Sequence, residues 1–558
     1  MPVTPSYPGI YIEELPSSVH TITAAPTNIA VFIGYTHPLK TINWRRAVQI
    51  FGFNDYARQF GGFLRSTAFA NAAPEFGDMA VAVNQFFLNG GTEAYVVGLE
   101  ALGGLGGIVG AQVPRRGDPT PPPLGALTFT AQEITDDEHQ LAITVRPINP
   151  GIASPPAPML ADITITYGPP STPGVQPAPA WVTETYRRVS IDPADADYIV
   201  SRIGSETRPV STLVTVAEGS PPGGVFPGKP LTLVFDNTSL PGSTALFNAG
   251  DFTDVMGQDT DLDKLPIFNL MVIPGVSVAA AGELVISTAM AFCERKRAFF
   301  IMDPPIDDSA DGTDPNPLYA HRIEETISDP GMARSPNGAL YFPYVKSPDP
   351  QSGQSTNPVT GQPYEIPPAA TVAGVFASTD LKRGVWKAPA GFQATTTNTT
   401  GVVQRGRMTD LRQGTLNPLG VNCLRDFPNV GTAVFGSRTL VTQTDQQWRY
   451  VPVRRTALFL EQTLYANLGW VVFEPNDEPL WNAIRNSIES FMLGMFRQGA
   501  FQGATPSQAF QVKCDAQTTT QDDINNGIVN ILVAFAPLKP AEFVIIKIAQ
   551  LAGQTQTA

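Results

Sequence analysis

The 558-residue sequence is poor in charge, histidine and cysteine, and it has no long apolar run. Charged residues make up 15% of the chain, against roughly 25% in an average globular protein. Much of the surface is therefore open to being covered by partners. The net charge is −14, and no large Lys/Arg cluster appears; Arg45-Arg46, Arg187-Arg188 and Arg454-Arg455 are isolated pairs. Nucleic acid and anionic membrane surfaces both call for clustered Lys and Arg, so neither is expected as a partner. No stretch of 18 apolar residues is present, which argues against a membrane-spanning helix. The opening "MPVTPSYPGIYIEELPSS" lacks the basic and apolar regions of a signal peptide, so assembly in the cytoplasm is expected.

The residue patterns of catalytic centres are missing too. Cys293, Cys423 and Cys514 are far apart, without a Cys-x-x-Cys pair. That excludes a zinc ribbon and a disulfide framework and leaves them as small buried hydrophobes. His20, His37, His139 and His321 show no metal-ligand spacing. There is no Gly-x-Ser-x-Gly elbow and no phosphate-binding Gly-x-x-x-x-Gly-Lys loop. "GGLGGIVG" has Val109 where a dinucleotide fingerprint needs its third glycine, and the chain then runs into prolines rather than a helix. "DDSADG" (307–312) starts like a calcium loop but has Leu318 where a bidentate Glu is needed. Asp259, Asp261 and Asp263 fail likewise, with Lys264 in the glycine position. No enzyme activity, metal or cofactor is expected.

What is present is length, with 53 prolines and 49 glycines. The length suggests three or four domains, and the pattern is α/β (α+β) and multidomain. Residues 1–27 hold five prolines around GIYIEE and VHTIT, and read as an extended arm. Strand "NIAVFIGYT", two helices and strand "AYVVGL" make an α/β unit over 28–100, resumed over 262–370 by "LPIFNLMVIPG", the helix "ELVISTAMAFCERK" and "RAFFIMDPP". Residues 101–261 carry 22 of the 53 prolines among short strands and read as a mostly β insertion. Residues 371–540 form a C-terminal α/β domain. There "PLWNAIRNSIESFMLGMFRQG" places Trp481, Ile484, Ile488, Phe491, Met492 and Met495 on one helical stripe. After "IVNILVAFAP" and two prolines comes FVIIKI within a last arm, 541–558.

Apolar strands near both ends, beside no catalytic pattern, suggest a protein that assembles by adding a strand to a neighbour's sheet. Long stretches carry a family resemblance: "FEPNDEPLWNAIRNSIESFMLGMFRQGAFQGATPSQAFQVKCDAQTTTQDDINNGIVNILVAFAPLKPAEFVIIKIAQ", "SPNGALYFPYVKSPDP", "AGVFASTDLKRGVWKAPAG", "LNPLGVNCLRDFP" and "YPGIYIEELPSS…APTNIAVFIGYT". They resemble contractile tail sheath proteins of phages and phage-like injection systems, over roughly 1–100 and 262–558. The resemblance implies a helical sheath of identical subunits around an inner tube protein, with baseplate and cap proteins at its ends, in a phage tail or a phage-like particle. It makes 101–261 the variable outer part. It also implies donated strands holding Ile10 and Ile12, or Val19 and Ile22, at one end and Phe543, Val544, Ile545, Ile546 and Ile548 at the other. The acceptor would hold Ile528, Val529, Ile531, Val533 and Phe535. A helix over 479–498 would meet the tube through Asn482, Arg485, Asn486 and Glu489. The alternative is a non-contractile tail or filament subunit.

Overall fold

The computed structural model describes residues 20–547 apart from 37–40, 64–77, 100–110, 114–126, 132–139, 149–159, 169–181, 206–207, 219–225, 227–229, 235–246, 278–281, 306–322, 325, 330, 349–363, 404–406 and 442–444. At its centre lies an eight-stranded sheet. In chain order its strands are β1 (Ala30–Tyr35), β2 (Ala47–Ile50), β3 (Ala94–Leu99), β4 (Leu270–Val272), β5 (Phe299–Met302), β6 (Gly338–Phe342), β7 (Val421–Phe427) and β8 (Gly431–Val434). Their order across the sheet is β2-β3-β1-β4-β5-β6-β7-β8. The inner strands run parallel, and β2 and β8 close the edges antiparallel. Parallel strands covered on both faces are apolar at every position rather than at alternate ones. AVFIGY, FFIM and GALYF are accordingly buried throughout.

Alternate residues of β1 serve two cores. Ala30 and Phe32 face α1 (Phe53–Phe60), α2 (Asp78–Leu88) and α5 (Ala369–Arg383). Val31, Ile33 and Tyr35 face the side of α3 (Ala249–Val255) and α4 (Glu283–Lys296). α2 and α5 approach so closely that a Cβ on Gly374 would lie 2.6 Å from the Phe86 carbonyl oxygen. Only glycine fits that crossing.

Two expected boundaries move. The break at 370/371 falls inside α5, and β7 and β8 extend the same central sheet, so the α/β body runs on to Val434. The insertion ends before 261, because α3 is fastened to the body. Asp251 binds Arg45 at 2.9 Å and accepts from the Tyr35 hydroxyl at 3.3 Å. The rest of the insertion is mostly β among the described residues, with one short helix, Ile199–Ile203. Ala111–Val113, Leu127–Ala131 and Val214–Glu218 form one sheet; Gln140–Pro147, Leu160–Gly168, Val182–Ser190 and Leu231–Val234 form another. Neither pairs with the central sheet among the described residues.

The last third builds its own cluster from α6 (Val451–Asn467), α7 (Glu478–Arg497) and the two-stranded sheet of β9 (Phe510–Lys513) and β10 (Leu532–Phe535). The α7 stripe packs inward as its spacing suggests: Trp481, Ile484, Ile488, Met492 and Met495 are buried.

Candidate assembly site

The C-terminal arm leaves the body at Glu542. That carboxylate is held by Arg438 through Nε at 2.8 Å and Nη2 at 2.6 Å, by Asn417 Nδ2 at 2.7 Å, and by the Tyr450 hydroxyl at 3.3 Å. Burial would raise its pKa. The hydrogen bonds from Arg438 and Asn417 and the Arg438 charge outweigh that and hold it below the usual carboxylate range. Beyond this root the backbone pairs with no strand among the described residues, and the apolar side chains face water. Phe543 is 73% exposed, Val544 81%, Ile545 82% and Ile546 78%. Consecutive exposed apolar residues of this size call for a partner. Ile548 lies outside the described residues.

Close to this root lies a short sheet. β10 pairs antiparallel with β9 from Phe510↔Phe535 to Lys513↔Leu532, and no strand covers its outer edge among the described residues. Val533 and Phe535 are half-buried against the α7 cluster. The strand is shorter than the expected Ile528–Phe535. Ile528, Val529 and Ile531 precede it, because side chains have captured the backbone there: Asn476 Nδ2 donates to the Ile528 carbonyl at 3.0 Å, and Thr519 Oγ1 accepts from the Asn530 amide at 3.1 Å.

At the other end, Ile10, Ile12 and Val19 lie outside the described residues. Ile22 departs from the expectation of a free strand. It is 8% exposed and belongs to the chain's own C-terminal cluster. Thr23 exchanges two hydrogen bonds with the Asn467 side chain, at 2.9 and 2.8 Å, and His20 stacks on Trp470 at 3.8 Å. Residues 20–27 are thus strapped along α6, and a free N-terminal arm can begin only before them. The physical reason is that Ile22 finds an apolar site within its own subunit.

The polar side of α7 is divided. Asn486 and Glu489 are exposed. Asn482 and Arg485 are half-buried and hydrogen-bonded to each other, and Arg485 also donates to the Cys514 carbonyl at 3.3 Å. No group of three His, Cys, Asp or Glu side chains able to hold a metal occurs among the described residues. The Asp259–Asp263 turn is committed otherwise, since Asp263 binds Arg295 at 3.0 Å.

The chain shares its fold with the sheath proteins of contractile injection systems. Residues 443–550 match the phage tail sheath C-terminal domain. A prophage major tail sheath protein of Pseudomonas aeruginosa (strain UCBPP-PA14) is 25% identical over 279 residues, which are 49% of this chain and 62% of that protein. The tail sheath protein of Vibrio phage KVP40 is 26% identical over 181 residues, 32% of this chain and 25% of that one. The chain thus matches less than two thirds of the length of either relative. Among solved structures, the sheath of the extracellular contractile injection system PVC in its contracted state superposes with a TM-score of 0.55 at 21% identity, over 98% of both chains. The contracted helical sheath of the anti-feeding prophage gives 0.54 at 22% identity, over 98% of this chain and 100% of that one.

Proposed function

We propose that the chain is the subunit of a contractile sheath that polymerises helically around an inner tube and contracts without nucleotide hydrolysis. The observation that carries this reading is the arm rooted at Glu542, whose exposed Phe543–Ile546 have no partner strand among the described residues, near an edge of β10 that no described strand covers. Strand addition gives affinity through backbone hydrogen bonds, about 0.5–1.5 kcal/mol each net. The likeness to sheaths in the contracted state supports contraction. With no phosphate-binding loop in the sequence, the energy would be stored in a metastable extended state and released by rigid-body rotation of subunits. The same reading gives the tube contact to the exposed Asn486 and Glu489 on α7, makes residues 111–234 the outer part, and places donated strands at Ile10–Glu14 and Phe543–Ile548.

The test removes residues 543–558 and keeps the Glu542 root. The truncated chain should stay a folded, soluble monomer and form no tubes under conditions where the full chain does. Tubes formed by the truncated chain would falsify the arm's role.

A further inference from the structure

The loop from α6 to α7, "GWVVFEPNDE", ends in a knob. Val472 is 62% exposed and Phe473 is 102% exposed. Phe473 also sits at φ +71°, a left-handed conformation that strains a bulky residue. The loop is braced from beneath: Trp481 Nε1 donates to Asn476 Oδ1 at 2.9 Å, and Asn476 holds the Ile528 carbonyl. A rigid, strained turn thus presents an aromatic ring to water and gains nothing from it inside this chain. Glu474, Asp477 and Glu478 follow the knob, exposed and without an ion-pair partner among the described residues.

The opposite end of α7 borders a cleft of about 780 Å³. Trp386 and Phe435 give it apolar walls, and Arg383, Lys387 and Lys539 line it with positive charge. The carboxylates that reach the cleft are already committed, Asp410 to Arg425 at 2.7 Å and Glu542 to Arg438 at 2.6 Å. Among the described residues the Arg383 side chain bonds the Gln393 side chain and Lys387 the Ala388 carbonyl, and neither meets a carboxylate. Burial, and then the Arg383 charge, pull the Lys387 ammonium below its ordinary pKa range. An incoming carboxylate would relieve that penalty.

α7 has 20 residues, so knob and cleft lie at opposite ends of a rod about 30 Å long and cannot meet within one subunit. We infer that the Val472–Phe473 knob of one copy seats in the Trp386–Phe435 cleft of the next, with Glu474 and Glu478 against Arg383 and Lys387. Such a contact uses two different patches, which makes it heterologous and able to propagate into an open helix. Two copies of net charge −14 repel at a distance, so local opposite charge is what selects this docking. The inference rests on the reading that the chain self-assembles, and it adds a contact independent of the arms.

Cysteine cross-linking of the full chain tests it. The native Cys293, Cys423 and Cys514 are buried and should stay silent. Val472→Cys and Gln498→Cys place one thiol at each end of α7 and leave Phe473 in place. With a short bis-maleimide, the mixture of the two single variants should give a covalent dimer that neither gives alone. The double variant should give a ladder of multimers. Glu474→Lys/Glu478→Lys should cut the yield at least about fivefold, and Arg383→Glu/Lys387→Glu on the partner copy should restore it. No dimer from the mixture under conditions where tubes form would overturn the inference and assign the cleft to another occupant, while the sheath reading stands. Equal dimer yield from Val472→Cys alone would also overturn it. A ladder without tubes would support the contact and sink the sheath reading.

Discussion

At the residue scale the most consequential group gives no sign in the sequence. Arg454-Arg455 reads as one isolated cationic pair, yet successive helical residues point about 100° apart, and the two arginines have different fates. Arg454 binds Asn337 and Glu461 near the surface. Arg455 is buried against Asp380 at 2.6 Å, with side chains 3% and 1% exposed, and also donates to the Thr27 carbonyl at 2.9 Å. One side chain therefore joins α5, α6 and the N-terminal strap. Arg455→Ala leaves Asp380 buried without its counter-charge, which costs about 3–5 kcal/mol. We expect that loss in urea unfolding, together with faster hydrogen exchange over residues 20–28. A loss below about 1 kcal/mol would mean that water solvates Asp380 and the pair is dispensable. Replacing both partners by apolar residues of similar volume should recover much of the loss, because no unpaired charge then stays buried.

At the element scale, legibility follows the range of the interaction. "ELVISTAMAFCERK" is helical over its whole length, Glu283–Lys296, because its pattern is local. The Thr-rich stretch before Gln521–Asn525 forms a reciprocal cap between Thr520 and Asp523, again a matter of neighbours. What could not be read was which element each strand-like run would meet. VHTIT and FVIIKI are both β-prone, yet Ile22 packs into the C-terminal cluster and Phe543–Ile546 pack against nothing among the described residues. The Glu542 root joins residues 104 apart in sequence, and periodicity carries no signal for that. The root sets where the arm begins to move. Glu542→Ala should release residues 538–542, seen as faster amide exchange confined to that stretch. The pH dependence has a definite sign. Its folded pKa lies below the ordinary value of 4.5, so the clamp contributes fully above that value and is lost as pH falls through the lower one. The wild-type root should therefore loosen toward the mutant's exchange rates only as the pH falls well into the range below the ordinary carboxylate value, while Glu542→Ala stays insensitive there. Parallel acid loosening in both proteins would place the sensitivity elsewhere.

At the scale of the whole molecule, the question is where the outer part stops. Composition suggested 101–261, but proline content marks loops and strands and says nothing about α3, which follows them. α3 buries Phe252 and Val255 on the face of the central sheet, beside Tyr35, and ties Asp251 to Arg45. The insertion's two main sheets pair only among themselves among the described residues. Two deletions separate these parts. Replacing 104–246 by a short Gly/Ser link keeps α3, and the protein should remain soluble, helical by circular dichroism and able to assemble. Replacing 104–258 removes α3 and bares that face. Losing two large buried side chains costs about 2–5 kcal/mol each, before the Arg45–Asp251 pair is counted. Domain stabilities are typically about 5–15 kcal/mol, so the longer deletion should aggregate or lose its cooperative thermal transition. Calorimetry and size-exclusion chromatography of the two variants decide the matter. If both behave like the full chain, α3 is peripheral and the 261 boundary was right. If both collapse, the β insertion belongs to the body and is not an outer appendage.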